Sequence, residues 1–269
     1  MLSQLRAFIF ISLKSGIRDR VLHAILAAGL LLLLTTPVVA FFSMRQVVAL
    51  AVSYSLSVIS LLGLLLTLFL SLGALARDME RRSVYTVCSL PLPRSRYLLG
   101  RYLGFAALLV LALGILGLFS SCALYILVRL YPPSVPLSWG HFALALWFLY
   151  WTMLIIGALS LLFSTVATST FLPLALTVGI YFASYSTEAV RFYVESALGA
   201  ASTAPMIRWL ARTVYWILPN LSAFDLKSQT IYHLGLSGKA IVLTQVYGMG
   251  YLGVLLVLAG IAFTRREFL

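Results

Sequence analysis

Long apolar runs separated by short polar connections form the main pattern of the chain. A helix of about 20 apolar residues crosses the ~30 Å hydrocarbon core of a membrane. The run at residues 98–130 is longer than one straight crossing needs, so its first turns are assigned to the connection that precedes it. The pattern predicts an all-α membrane protein with six transmembrane helices, at residues 21–42, 49–76, 98–130, 141–163, 170–186 and 240–263.

An amphipathic helix is predicted before the first span, over residues 1–20. Apolar and basic residues there follow helical spacing on two different faces, with Leu5, Ile9, Leu13 and Ile17 on one and Arg6, Lys14 and Arg18 on the other. Such a helix is suited to lie in the headgroup layer of the membrane. The simpler interpretation, a charged anchor that only sets topology, stays open.

Composition excludes an ordinary soluble domain. The chain has 269 residues, of which 62% are hydrophobic and 10% charged, and its mean hydropathy is +1.05. A soluble domain carries roughly a quarter charged residues. The formal net charge of +12 comes from basic residues that flank apolar runs, a pattern that indicates contact with membrane lipids and no binding of nucleic acid.

The connection between the second and third spans, residues 77–97, is the most basic part of the chain. Six arginines lie in or just after it, at Arg77, Arg81, Arg82, Arg94, Arg96 and Arg101. Pro91 and Pro93 interrupt any helix there, so residues 83–89 are predicted to form a short separate helix. The positive-inside rule assigns this connection to the cytoplasm.

Charge counting assigns both termini to the cytoplasmic side of the cell (inner) membrane. The N-terminal arm, the basic connection and the C-terminus hold 12 Lys and Arg, whereas only Arg45 and Arg129 lie in or beside the short loops on the other side. The long segment at residues 188–238 counts little, because long loops cross membranes largely regardless of charge. Within it, residues 206–218 are predicted to form an interfacial or partly re-entrant helix that Pro219 stops.

The basic connection also carries a family resemblance. Its residues 80–83 read Glu-Arg-Arg-Ser and residues 90–104 read LPLPRSRYLLGRYLG. This segment resembles the coupling-helix region of ABC-2 type exporter permeases, most closely the permease branch of the copper-enzyme (nitrous oxide reductase) maturation system. Ser83 stands where that family more often has Thr or Gly, and Arg101 where it has Lys. The ending at residues 265–267, Arg-Arg-Glu, agrees with the resemblance.

The resemblance implies one permease domain over residues 1–269. In that family an elbow helix (residues 1–20) precedes the first span, a cytoplasmic coupling helix (77–97) joins spans 2 and 3, and outer helices (188–238) join spans 5 and 6. The implied partners are a cytoplasmic ABC ATPase dimer, which binds ATP and Mg, and a second permease copy or a paralogue. No cofactor is expected in this chain.

The resemblance also implies an ATPase-coupling interface and a function. The candidate interface residues are Glu80, Arg81, Arg82, Ser83, Tyr85, Leu90, Pro91, Arg94 and Arg96. The implied function is a permease subunit that transmits ATPase motion through the coupling helix and moves a substrate across or out of the membrane. The alternative is a membrane assembly or scaffold protein that binds a cytoplasmic partner without transport.

A polar stripe runs along the predicted second span. Its members are Ser53, Ser57, Ser60, Thr67 and Ser71. Small hydroxyl residues allow helices to approach closely in lipid and to hydrogen-bond across the contact. The stripe therefore predicts helix packing, with the polar wall of a substrate path as the alternative.

No catalytic or metal-binding pattern is found in the sequence. The histidines His23, His141 and His233 lie on separate segments, as do Cys88 and Cys122, so neither a metal site nor a disulfide is predicted. A G-x-G-x-x-G match at residues 248–253 lies inside an apolar span, which favours close helix packing over dinucleotide binding. The chain has no P-loop motif, so ATP hydrolysis is expected in a partner.

The positions of the acidic residues argue against two further classes, an ion-coupled carrier and an intramembrane enzyme. All seven lie outside the predicted spans, at Asp19, Asp78, Glu80, Glu188, Glu195, Asp225 and Glu267. An ion-coupled carrier usually has an ionisable group near the middle of the membrane, and an intramembrane hydrolase needs a paired catalytic set. The sequence therefore predicts that another polypeptide supplies the driving force.

Overall fold

A computed structural model describes residues 2–42, 46–80, 94–133, 136–167, 169, 171–196, 205–232, 235 and 237–265. Over these ranges the chain is helical and contains no strand. The helices are α1 Leu2–Ile17, α2 Arg20–Leu34, α3 Thr36–Phe41, α4 Val47–Glu80, α5 Arg94–Leu130, α6 Trp139–Val166, α7 Phe171–Glu195, α8 Pro205–Ile217, α9 Lys227–Tyr232 and α10 Gly238–Arg265. A 3-10 turn, Ser222–Phe224, precedes α9.

Five helical segments of the described chain are long and apolar enough to cross a membrane. They are Arg20–Phe41, which joins α2 and α3, Val47–Leu72 of α4, Tyr97–Leu130 of α5, and the whole of α6 and α10. In lipid a helix satisfies its backbone hydrogen bonds internally, which explains why these runs are helical throughout. The protein is thus a multi-pass membrane protein.

The predicted fifth span forms a helix, α7, but α7 is not among these five segments. Its 25 residues include several polar side chains that lower its hydropathy. Three of its hydroxyls, on Thr177, Ser186 and Thr187, donate hydrogen bonds to carbonyls of their own helix. These bonds lower the cost of placing α7 beside lipid or other spans.

The first predicted span is broken at Thr35. Helix α2 ends there and α3 begins at Thr36, with Pro37 in its first turn. Proline has no N–H to donate and its ring disturbs the preceding turn, which explains the break. The Thr35 hydroxyl donates to the Leu32 carbonyl at 2.7 Å and shares a 2.8 Å hydrogen bond with the Tyr54 hydroxyl of α4, so the broken turn is also tied to its neighbour.

Helix α6 lies at the centre of the bundle and packs against α4, α5, α7 and α10. The whole stretch from Trp151 to Leu161 is buried. Gly157 allows α5 to approach closely, because a Cβ atom there would overlap the ring of Phe105. By contrast, α2 and α10 are mostly exposed and lie at the periphery.

Interhelical hydrogen bonds fix the relative directions of the spans. Tyr102 of α5 donates to the Leu154 carbonyl of α6, and Tyr150 donates back to the Ala106 carbonyl, so α5 and α6 are antiparallel. Trp147 of α6 donates to Gln245 of α10 at 3.2 Å, and Trp151, one turn later in α6, lies beside Gly248, which also comes later in α10. Helices α6 and α10 therefore run in the same direction. We call the end where α4 stops and α5 starts the basic end, and the opposite end the far end.

Candidate functional site

The predicted coupling interface falls mainly on residues outside the described part of the chain. These are Arg81, Arg82, Ser83, Tyr85, Leu90 and Pro91. Glu80 is the last residue of α4, and Arg94 and Arg96 lie in the first turn of α5. The helix after Pro93 therefore begins where the sequence predicts it, and the described flanks of the interface both lie at the basic end.

Helix α1 packs along the first part of α5. Gly104 of α5 makes this approach possible, because a Cβ atom there would collide with the Ser12 side chain. One turn further along both helices, Gly16 lies against Leu108 in the same way. Helix α5 has 37 residues, which corresponds to ~55 Å, more than a ~30 Å hydrocarbon core requires. Helix α1 lies beside its first half.

The last span also reaches the basic end. The ring of Tyr97, in the first turn of α5, stacks on Phe263 near the end of α10, with 6.2 Å between ring centroids. Both side chains are buried. Helices α1 and α10 thus both pack against α5, whose first turn begins at Arg94.

The polar stripe of α4 divides between several environments. Ser53 is partly buried and Ser57 exposed, whereas Ser60, Thr67 and Ser71 are buried. Ser71 donates a hydrogen bond to Ser160 of α6. The stripe thus contacts α6 near the basic end and turns partly to the surface near the far end.

Ser60 lines a small cavity among the spans together with four polar residues from other segments: Thr152, Tyr185, Asp225 and Lys227. The cavity measures about 20 Å³, enough for roughly one water molecule. Asp225 lies outside every span in the sequence, as predicted, but the fold brings it beside residues of α4, α6 and α7. Its carboxylate accepts a hydrogen bond from the Lys227 backbone N–H at 3.1 Å.

The segment that carries Asp225 folds back between the spans at the far end. Phe224 is buried against Phe148 of α6 and Gly248 of α10. The backbone N–H of Asn220 donates to the Tyr247 hydroxyl at 2.9 Å. The placement of Asp225 between the spans was not predicted from the sequence. The sequence feature that could have indicated it is Pro219, which ends the amphipathic helix before the chain folds back.

A second, larger cavity opens at the far end. Its volume is about 620 Å³. Valine, leucine and proline side chains line it together with the amide of Gln46, the hydroxyl of Thr230 and the phenols of Tyr131 and Tyr232. No charged residue is among its described lining residues, so the cavity suits an uncharged or amphiphilic molecule better than an ion.

Nearly the whole chain matches a known protein family. The family model for ABC-2 family transporter proteins matches residues 8–268. The chain belongs to this ABC-2 transporter family. Comparison with curated proteins gave no match.

Membership of the ABC-2 family makes the chain a multi-pass transmembrane permease. The family match covers both the basic end and the far-end segment. Members of this family are typically membrane subunits without enzymatic activity of their own. The match supports the ABC-2 assignment alone and gives no support to the copper-enzyme maturation branch.

The G-x-G-x-x-G match of the ABC-2 permease is explained only in part by helix packing. Gly248 faces Phe224, with 3.0 Å between the Phe224 Cζ and a Cβ atom built on the glycine. Gly250 and Gly253 face open space in the described structure. The packing prediction thus applies to Gly248.

Metal-ligating side chains are not gathered anywhere in the described part of the permease, where no group of three or more His, Cys, Asp or Glu occurs. His233 and Cys88 lie outside the described residues. Cys122 is an exposed free thiol on α5.

Proposed function

We propose that this ABC-2 permease is the membrane subunit of an ATP-driven transporter that receives force through residues 77–97. Its partners are a cytoplasmic ABC ATPase dimer, which binds ATP and Mg, and a second permease copy or a paralogue. ATPase closure presses on the coupling segment, and the spans fused to it tilt. Glu80, Arg81 and Arg82 contact the ATPase, and Arg94 and Arg96 hold the start of α5 at the headgroups.

The observation that carries this proposal is the convergence of α1, α5 and α10 beside the coupling segment. Helix α5 runs without interruption from Arg94 to Leu130, so displacement of its first turn moves the whole helix. Through Gly104 that displacement reaches α1, and through Tyr97 and Phe263 it reaches α10. A force applied at one segment is therefore distributed to three helices.

The proposed orientation puts the basic end and both termini in the cytoplasm of a cell whose inner membrane holds the permease. It is supported by the six arginines in and after the coupling segment, since positive charge is retained on the cytoplasmic side. The far-end cavity and the Asp225 segment then face outward.

We propose six crossings, with α7 as the fifth. Helices α6 and α10 run in the same direction, from the far end to the basic end, so the chain returns across the bundle between them. Helix α7 packs antiparallel to α6 in this interval, and Arg191 near its end contacts Tyr215 of α8. Its polar residues are tolerated because it packs on α6.

The polar stripe of α4 is proposed to serve both roles that its sequence left open. Thr67 and Ser71 pack against α6, whereas Ser53 and Ser57, nearer the far end, contribute polar groups to a substrate path. Thus the stripe changes from a packing surface to a path wall along one helix.

Coupling is tested with the double variant Glu80→Ala and Arg82→Ala in the permease co-purified with its ATPase. The variant removes two charges that the proposal assigns to the ATPase contact. We expect insertion and expression to be unchanged and ATPase stimulation by the permease to fall severalfold, because an exposed ion pair contributes up to about 1 kcal/mol and the variant removes two charges.

Arg129→Ala is the matched control for the Arg82 component. It removes the same type of side chain from the far end of α5, where Arg129 contacts Tyr125 of its own helix. This variant should leave ATPase stimulation intact. Full stimulation in the double variant, or a preparation in which no ATP-hydrolysing subunit co-purifies, would contradict the proposal and favour the scaffold alternative.

A further inference from the structure

Helix α8 presents an apolar face away from the bundle. On a helical wheel its large apolar residues share one side, and they are exposed: Met206, Ile207, Trp209, Leu210, Trp216 and Ile217. Trp216 is 82% exposed and Met206 81%. The opposite side carries Ala211 and Tyr215 and packs against α7. An exposed apolar surface of this size indicates contact with lipid or with another protein instead of water.

The position of α8 along α10 indicates that lipid contacts this apolar face. The Tyr251 hydroxyl donates to the Ile217 carbonyl at 3.0 Å, and Tyr251 lies at the middle of the 28-residue α10. Because α10 is a membrane-crossing segment, the end of α8 lies below the membrane surface at the far end. Phe224, packed between α6 and α10, follows it into the same half of the bundle. The exposed face of α8 therefore continues the lipid-facing surface of the spans.

Two arginines lie on the polar side of this helix. Arg208 and Arg212 are one turn apart and border the face that carries Trp209 and Trp216. Arg212 is exposed, whereas Arg208 is partly buried and its Nε atom is buried without a hydrogen-bond partner. Among the described residues no carboxylate forms an ion pair with either guanidinium. A guanidinium at a membrane boundary is stabilised by an anion, and phosphate matches its paired donors.

We propose that α8 lies in the membrane leaflet at the far end and that Arg208 and Arg212 bind the phosphate of an anionic phospholipid there. The aliphatic stems of the two arginines extend from the helix towards the headgroup layer, so that the guanidinium groups reach the phosphate. This inference does not depend on the proposed ATPase coupling, since it requires only that α10 crosses the membrane.

The position of α8 is tested with a nitroxide spin label on Trp216→Cys, in the full chain with Cys88→Ser and Cys122→Ser, reconstituted in lipid. We expect the label to collide with oxygen, which dissolves in lipid, and to be protected from a water-soluble nickel chelate. The control is a label on Lys239→Cys, an exposed site at the start of α10, which should be accessible to the chelate. Accessibility of the Trp216 site to the chelate, or protection from both reagents by a second protein chain, would overturn the proposal.

The phosphate site is tested by native mass spectrometry of the purified chain with equal amounts of phosphatidylglycerol and phosphatidylcholine. We expect preferential retention of phosphatidylglycerol, reduced roughly fivefold for each of Arg208→Gln and Arg212→Gln. The matched control is Arg129→Gln with Lys239→Gln, which removes the same charge from other far-end positions. An equal loss of retention in this control, or no preference in the unmodified chain, would show that no phosphate site exists on α8.

Discussion

The Ser71 hydroxyl of α4 donates a hydrogen bond of 2.7 Å to the Ser160 hydroxyl of α6. Both side chains are buried in the region where α4 and α6 run side by side. The bond joins two spans far apart in the sequence, and it lies towards the basic end, where the proposed force enters.

Removing this bond should destabilise the permease modestly. We expect Ser71→Ala to lower the free energy of unfolding by about 0.6 kcal/mol, the average for interhelical hydrogen bonds in membranes. Denaturant titration in mixed micelles measures it, and a double-mutant cycle with Ser160→Ala isolates the pair. Ser55→Ala is the control, since the Ser55 hydroxyl of the same helix is buried without a hydrogen-bond partner and its loss should cost little. A larger cost for Ser55→Ala than for Ser71→Ala would refute this view of the contact.

Gly104→Ala should separate α1 from α5, because the added methyl group collides with Ser12. Overpacking of this kind costs about 1–3 kcal/mol. We expect a lower thermal midpoint in detergent and increased cleavage of α1 by protease. Gly114→Ala makes the same change on the same helix, where nothing lies within 4 Å, and should leave both measurements unchanged or improved. If both variants behave alike, the close approach of α1 does not contribute to stability.

Gly248→Ala should disturb the far-end segment that carries Asp225. The new methyl group would press on Phe224 at 3.0 Å and make an ordinary contact with Trp151 at 3.6 Å. Two residues later, Gly250→Ala meets open space and reports only the gain in helix propensity, up to about 1 kcal/mol. The measurement is hydrogen exchange of residues 219–226, which should quicken in the first variant alone. Unchanged exchange in Gly248→Ala would mean that Phe224 shifts without loosening the segment.

Tyr102→Phe should weaken the contact between α5 and α6. The buried Tyr102 hydroxyl donates to the Leu154 carbonyl at 2.8 Å, and its loss costs about 1 kcal/mol. Tyr150→Phe deletes a longer bond across the same contact, 3.5 Å to the Ala106 carbonyl, and should cost less. Unfolding titrations of the two variants provide the comparison. A larger loss of stability in Tyr150→Phe than in Tyr102→Phe would indicate that the length of the hydrogen bond does not set its contribution to stability.

Helix positions were predicted well from the sequence, and helix boundaries less well. The start of α5 after Pro93 and the N-terminal helix follow from proline chemistry and from the spacing of apolar residues. The break at Thr35 was not predicted, because the apolar run at residues 21–42 continues through Pro37. Helix α7 was predicted as a span, yet its polar residues keep it out of the five segments that hydropathy alone selects.

The coupling interface stays a prediction, because most of its residues lie outside the described part of the chain. The basic connection and its flanks were found from charge density and from the resemblance of residues 80–104, which the family match supports at the level of ABC-2 transporters. The partners of α1 and α10 at the basic end were not predicted. Each is a contact between segments distant in the sequence, and neither Gly104 nor Phe263 differs in type from many other residues of the spans.

By itself the sequence determined that this is a helical multi-pass membrane protein of the ABC-2 type. Apolar runs long enough to cross lipid leave the backbone no alternative to the helix, and a local run of arginines and prolines carries the family signature. Only the tertiary structure decided that Asp225 lies beside Ser60, that Gly248 packs while Gly250 does not, and that Ser71 bonds to Ser160. Helical periodicity assigns a residue to a face, whereas the neighbour that the face meets is selected by the packing of the whole bundle.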